Sequence, residues 1–200
     1  FAALLLSLVI GVPLGIIAAL KRGTIIDSLA TVAVAAGNCM PTFWLGIILL
    51  FWGSNHGFPI GGKVTPGMAS RPFLLQLGDL LQHMILPTLT YTIVYMGEYL
   101  LLMRSSLLDV LAEDYILTAK AKGLSTFQIL KDHALKNAML PIVTIIALNL
   151  GFTVAGAIQI ETVFSWPGLG LLFYDALTGP DYFLLQGLLV ATAGAVVVMN

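Results

Sequence analysis

Charge is scarce in this sequence. Only 10% of its 200 residues are Asp, Glu, Lys or Arg, while 58% are apolar and the mean hydropathy is +0.98. Ordinary soluble domains carry about 25% charged residues. So few charges cannot cover a water-facing surface, which excludes a soluble globular domain and leaves a bilayer as the natural solvent. Neither sign dominates either. Nine basic and ten acidic residues give a net charge of −1, so there is no electrostatic footprint for nucleic acid. Cys39 is the only cysteine, which rules out an internal disulfide and leaves the redox compartment open. The three histidines, His56, His83 and His133, are scattered along the chain, so a metal site built from them is not expected. The sequence has no G-x-S-x-G, no H-E-x-x-H and no complete Walker motif of the form G-x-x-x-x-G-K-[ST]. It also has no internal repeat, coiled-coil heptad, low-complexity tract or interdomain linker.

What is present is a series of apolar runs near the length of a bilayer crossing. They cover residues 1–20, about 28–52, about 83–103, about 137–158, and from about 183 onward. Backbone groups in hydrocarbon must be satisfied internally, and these runs lack the alternation of barrel strands, so each is read as a helix. The fold class expected is all-α, a polytopic membrane protein with about five spans. Residues 1–200 are read as a single membrane domain. Phe1 opens inside an apolar run with no initiator Met or basic leader, and 191–200 stop inside another, so the chain reads as an internal fragment rather than one led by a signal peptide.

Orientation follows from the basic residues. Lys21, Arg22, Arg104, Lys120, Lys122, Lys131 and Lys136 fall in the loops after the first and third runs, seven of the nine in all. Only Lys63 and Arg71 fall on the opposite side. The positive-inside bias places the first group in the cytoplasm.

The charged segment 104–136 has the clearest local grammar. From Leu107 to Lys122, apolar residues recur on one helical face while Asp109, Glu113 and Asp114 lie elsewhere. Gly123 suits a left-handed helix stop. Ser125 and Gln128 have the spacing of a capping box, with Leu124 and Ile129 placed as a hydrophobic staple. The segment therefore reads as helix, glycine bend and capped helix, with re-entry near Pro141. Pattern alone fits two roles equally: an amphipathic loop on the inner leaflet, or an elbow that docks a cytoplasmic partner.

The residues themselves favour the second role. The stretch EDYILTAKAKGLSTFQILKDHALKNAMLP, from Glu113 to Pro141, resembles the EAA loop of ABC importer permeases, in the version of the dipeptide/oligopeptide/nickel branch. Gly123 stands at the motif glycine, Ala119 at its second alanine, and His133-Ala134-Leu135 at its I-x-L. Leu117, Thr118 and Lys136 stand where the family motif has glutamate, the first alanine and proline. A second stretch, ETVFSWPGLG from Glu161 to Gly170, followed by Asp181-Tyr182, is similar to the outer-loop signature of the same branch. LLMRSSLLDVL, from Leu101 to Leu111, is a third point of resemblance. The similarity extends from about residue 83 to the end and is weaker before that.

The resemblance implies a type-1 ABC importer transmembrane domain. It implies a permease subunit for di- or oligopeptides or related solutes in a bacterial or archaeal cytoplasmic membrane. The expected partners are a second permease subunit in a heterodimer, two cytoplasmic ATPase subunits, an extracytoplasmic substrate-binding protein and the lipid bilayer. ATP and Mg would be bound by the ATPases, so this chain would hold no cofactor and catalyse no reaction. Within 104–136, the ATPase-coupling residues would be Ala119, Lys120, Ala121, Lys122, Gly123, Leu124, Ser125, His133 and Leu135. The outer-loop motif would comprise Glu161, Phe164, Trp166, Pro167, Gly168 and Gly170.

Trp166-Pro167-Gly168-Leu169 has the residues of a type II turn. Phe164, Trp166, Phe173, Tyr174 and Tyr182 are expected at headgroup level. Glu98 is the one acid well inside an expected span; it is a candidate pathway residue, or it snorkels toward Arg104, about 9 Å away by helical rise. Asn149, with Thr153 and Gly156, lines one side of the fourth run, and Asn38, Pro41 and Thr42 interrupt the second; such residues either line a pore or make helix contacts. Gly11, Gly15, Gly151 and Gly156 suit close helix packing. Two other classes remain in view. An ion-coupled secondary transporter or channel would more often carry several ionisable residues in its spans and a paired repeat. A membrane-embedded hydrolase would need a nucleophile–base pair or two facing carboxylates.

Overall fold

The computed structural model describes residues 1–155 and 157–199; Gly156 and Asn200 lie outside the described residues. Among the described residues the chain is all helix, with no strand. The helices are α1 (Ala2–Leu20), α2 (Ile25–Asn38), α3 (Thr42–Asn55), α4 (Phe73–Leu111) and α5 (Asp114–Ala121). They continue as α6 (Thr126–Ala138), α7 (Leu140–Ala155), α8 (Ile158–Val163), α9 (Leu169–Thr178) and α10 (Tyr182–Met199). By length and composition, α1 and α4 are each able to cross a membrane unbroken, and α2 with α3 and α6 with α7 form two interrupted apolar pairs.

Several expected boundaries move. The second run, expected at 28–52, is two helices separated by Cys39–Pro41. Pro41 has no N–H to continue a helix and disfavours helical backbone at Met40, and here it caps α3 with a non-helical backbone, whereas α1 and α4 continue through Pro13 and Pro87. The third run, expected at 83–103, is part of a 39-residue helix that begins ten residues earlier. Pro72 starts it, its carbonyl accepting from Leu75 N (2.9 Å) and Gln76 N (3.2 Å). The expected helix over 107–122 divides: Ala112 N and Glu113 N turn back to Asp109 O and Val110 O, and Glu113 takes an extended backbone to start α5. The expected loop between the fourth and fifth runs contains α8 and α9.

Two compact units organise these helices. The first comprises 1–4, 40–94 and 148–200. Its core is Leu86, Ile160 and Phe164, with Leu50, Phe58, Tyr91, Ala157 and Val163 packed around them. Its long loop is tied down by Asp79, whose carboxylate accepts from Thr65 N (2.8 Å) and Thr65 Oγ1 (2.6 Å). The buried His83, one turn on, donates through Nδ1 to Asp79 O at 2.8 Å.

The second unit comprises 5–39 and 95–147. Tyr99, Leu100, Met103 and Leu107 of α4 are wholly buried there, with Ala18 and Ala19 of α1. Lipid tails are as apolar as leucine, so helices in a bilayer gain little from hydrophobic burial against one another. They associate through close van der Waals contact at small residues. Gly15 shows this most directly: a methyl group there would lie 2.6 Å from Leu100 O and 2.8 Å from Met103 Cβ. Gly97 does the same for α2, where a methyl would lie 2.7 Å from both Val34 Cγ1 and Asn38 Oδ1. Asn38 is thus a helix-contact residue.

Gly15→Ala should therefore destabilise the protein by about 1–3 kcal/mol, the usual cost of overpacking. Gly78→Ala, an exposed helical position with nothing within 4 Å of the new methyl, should stabilise by about 0.5–1 kcal/mol through helix propensity. Thermal unfolding of both variants in the same detergent checks the opposite signs.

Candidate functional site

Two sites carry the residues singled out in the sequence, one in each compact unit. In the second unit, the segment after α4 forms a helix–bend–helix elbow. Helix α5 buries Ile116 and Ala119 and leaves Leu117 exposed. It ends in a Schellman motif: Gly123 N donates to Lys120 O (2.9 Å), and Leu124 N reaches back to Ala119 O (3.3 Å). Gly123 has φ +80°, a conformation open to glycine without steric cost.

The capping box expected at Ser125 forms. Gln128 N donates to Ser125 Oγ (3.4 Å), and Ser125 N donates to Gln128 Oε1 (2.9 Å). Helix α6 then runs through a π-helical stretch, Ile129–Ala134, that includes His133 and precedes Leu135. Such a stretch adds a residue to the helical turn and shifts the faces that follow. Its buried residues, Ile129 and Ala134, belong to the stretch that packs against α5. Asn137 Nδ2 donates to Tyr115 Oη at 2.8 Å, closing α6 onto α5. Lys120, Ala121 and Lys122 project from the elbow into the exposed surface, and Leu124 is half-buried.

In the first unit, Glu161 organises the outer-loop motif. Its Oε1 accepts from Ala157 N (3.0 Å) at the start of α8, and its Oε2 accepts from Leu171 N (2.9 Å) in the first turn of α9. One carboxylate thus satisfies an orphan N–H at each of two helix N-termini, where the helix dipole also favours negative charge. The two glycines are needed for that closeness. A methyl on Gly168 would collide with the Glu161 carboxylate, and one on Gly170 would lie 2.6 Å from Ile158 N.

The expected type II turn is not there. Gly168 has φ −153°, ψ −178°, an extended cap for α9, whereas a type II turn needs φ near +80° at that position. The left-handed residue is Ser165, φ 47°, in the turn closed by Trp166 N donating to Glu161 O at 2.8 Å. Phe164, expected at headgroup level, is a core residue with 2% exposure. Trp166 is half-buried, Pro167 and Tyr174 are exposed, and Tyr182 is strongly so. A cavity of about 480 Å³ lies against this motif, with Tyr91, Thr88, Met84, Trp166 and Glu161 among its lining. Its wall is mostly apolar, with a few polar groups.

Residues 11–200 match the family described as binding-protein-dependent transport system inner membrane component. The chain belongs to that family. It is 39% identical, over 99% of its length, to the dipeptide transport system permease protein DppB of Escherichia coli (strain K12). It is 38% identical, over its whole length, to the protein of the same name from Haemophilus influenzae. In both cases the chain spans 64% of the relative's length. The family fold is the type-1 ABC importer transmembrane domain, and the all-helical architecture agrees with it. Membership and the long apolar helices make this an integral protein of the inner membrane.

The two candidate pathway residues fall in different units. Glu98 is half-buried in the second, and Asn149 is buried in the first. Thr153 is half-buried and donates to Asn149 O at 2.7 Å; Gly156 is outside the described residues. Sequence reasoning passed over Asp27 and Asp79, the two acids that the fold buries. Only tertiary contacts distinguish each from a solvated residue.

Glu161→Ala strands two helix-terminal N–H groups and should cost about 1–3 kcal/mol for each that stays buried. Glu161→Gln, which retains an acceptor oxygen, should cost less. Chemical denaturation in detergent, followed by tryptophan fluorescence in a background with Trp44 and Trp52 replaced by Phe, measures the order.

Proposed function

We propose that the chain forms the membrane-spanning part of a permease subunit in an ATP-driven importer that carries dipeptides or short peptides across a bacterial or archaeal cytoplasmic membrane, which it crosses several times. The observation that carries this reading is the elbow: a Schellman stop at Gly123 followed at once by a boxed cap at Ser125. Both helix ends are satisfied locally, so the bend holds its shape without help from solvent or lipid. A lipid-lying amphipathic loop has no use for such a rigid corner, whereas a handle gripped by a motor requires one. The dipeptide permeases at 38–39% identity support the peptide cargo.

In this reading the domain 1–200 is one type-1 transmembrane domain, and 104–136 is its coupling segment. Residues Ala119 to Ser125 with His133 and Leu135 dock an ATPase subunit on the cytoplasmic side. A second permease subunit completes the pore, two ATPases hold ATP and Mg, and an extracytoplasmic binding protein delivers peptide near the Glu161–Gly170 loop. This chain hydrolyses nothing; its part is mechanical. ATP-driven closure of the ATPases displaces the two elbows, and the helices rock between access states.

Gly123→Pro tests the mechanics. Proline fixes φ near −65° where the elbow has +80°, and it removes the N–H that Lys120 O accepts. In proteoliposomes with the partner subunits and the full-length chain, ATP hydrolysis should continue while peptide uptake falls by roughly tenfold or more, as for a lost coupling interaction of 1–3 kcal/mol. Gly123→Ala meets no neighbouring atom and should only cost about 1–2 kcal/mol of left-handed strain. Uptake sustained by an ion gradient without ATP would replace the importer with a secondary transporter.

A further inference from the structure

The second unit contains a buried ion pair that the elbow itself does not explain. Arg104 donates to Asp27 twice, Nε to Oδ1 at 2.6 Å and Nη2 to Oδ2 at 2.8 Å. Oδ2 accepts a third bond, from Gly23 N at 3.0 Å. The partners are 77 residues apart, Asp27 is buried, and the guanidinium is 25% exposed. The pair therefore fastens the turn after α1 and the first turn of α2 to α4, seven residues before α4 ends at Leu111.

Two residues further along α4, Ser106 Oγ donates to Ala138 O at 2.9 Å, at the far end of α6. Close to the same place, Asn137 closes onto Tyr115 of α5. The last turns of α4 are thus tied on one side to the α1–α2 turn and on the other to the end of the elbow. A two-pronged guanidinium–carboxylate contact fixes orientation as well as distance, unlike a lysine or an apolar contact. Partly buried ion pairs add little net stability compared with apolar replacements, so the weight of this one lies in the register it sets.

We infer that Asp27 and Arg104 are positioning residues that make the α1–α2 turn part of the rigid base of the elbow, so that a displacement of the elbow carries α1, α2 and α4 together. This rests on the proposed ATPase-coupled reading of the elbow and extends it to a loop outside 104–136. Without the pair, the elbow would move while part of that displacement dissipated as slippage between α4 and the α1–α2 turn.

The test uses the full-length permease with its partner subunits in proteoliposomes and reads the number of ATP molecules hydrolysed per radiolabelled alanyl dipeptide taken up. Asp27→Asn and Arg104→Gln should each raise that ratio about threefold or more, the range expected when a mutation distant from both ligands alters coupling. Arg104→Lys, which keeps the charge but not the fork, should give an intermediate ratio. The double charge swap, Asp27→Arg with Arg104→Asp, should bring the ratio back to within about twofold of the starting protein, as expected when two neighbours act through their mutual contact. An unchanged ratio in the single variants overturns the inference. So does a parallel fall of uptake and hydrolysis that merely tracks the amount of assembled complex, or a double swap that assembles without recovering the ratio. If the unmutated complex takes up dipeptide without ATP, the importer reading itself fails, independently of this pair.

Discussion

Every backbone N–H and C=O of this chain that enters hydrocarbon has to find its partner within the protein. That constraint selects helices and also makes each helix end a problem to be solved locally. The solutions are visible at both sites. At the elbow, the end of α5 and the start of α6 are closed by a glycine-based stop and a serine–glutamine box within six residues. In the outer-loop motif, one carboxylate, Glu161, serves the starts of two helices together. The two stretches singled out in the sequence therefore coincide with places where helix termini are crowded and need partners.

The same solvent removes the ordinary reason for helices to stick together, and close approach takes its place. Gly15 brings α1 against the backbone of α4, and Gly97 lets side chains of α2 close onto α4; neither place admits a side chain larger than hydrogen without movement. Polar fasteners then fix register where packing alone would allow sliding. Asp79 holds the loop at Thr65 in one unit, and Asp27 holds Arg104 in the other. In each case the acid is buried and fully engaged by donors.

In the second unit, long-range polar contacts bear on the proposed coupling. A rigid elbow is useful to a motor only if its base is equally firm. The bonds from Ser106 to Ala138, from Asn137 to Tyr115 and from Arg104 to Asp27 supply that firmness at three different points of α4, α5 and α6. The π-helical stretch at Ile129–Ala134 accommodates the geometry by re-aiming the residues that follow it.

What the sequence determined by itself was whatever depends on neighbouring residues and on solvent preference. The scarcity of charge gave the bilayer, the apolar runs gave helices, and the spacing of Gly123, Ser125 and Gln128 gave the bend and its cap, because Schellman stops and capping boxes close within a few residues. The break at Pro41 was only half legible, since α1 and α4 continue through Pro13 and Pro87 and proline by itself does not decide between a break and a continuous helix. Tertiary structure decided the rest. Helix α4 reaches back to Phe73, past Asp79 and His83, whose polar groups are satisfied by Thr65 and by the helix backbone. Gly168 is extended rather than turned, and the Glu161 carboxylate fills the space that a side chain there would need. Asp27 reads as a solvated flank residue until Arg104, 77 positions away, is brought against it. Pairings between groups so distant in sequence leave no periodic trace, since each depends on how whole helices pack and not on the residues beside it.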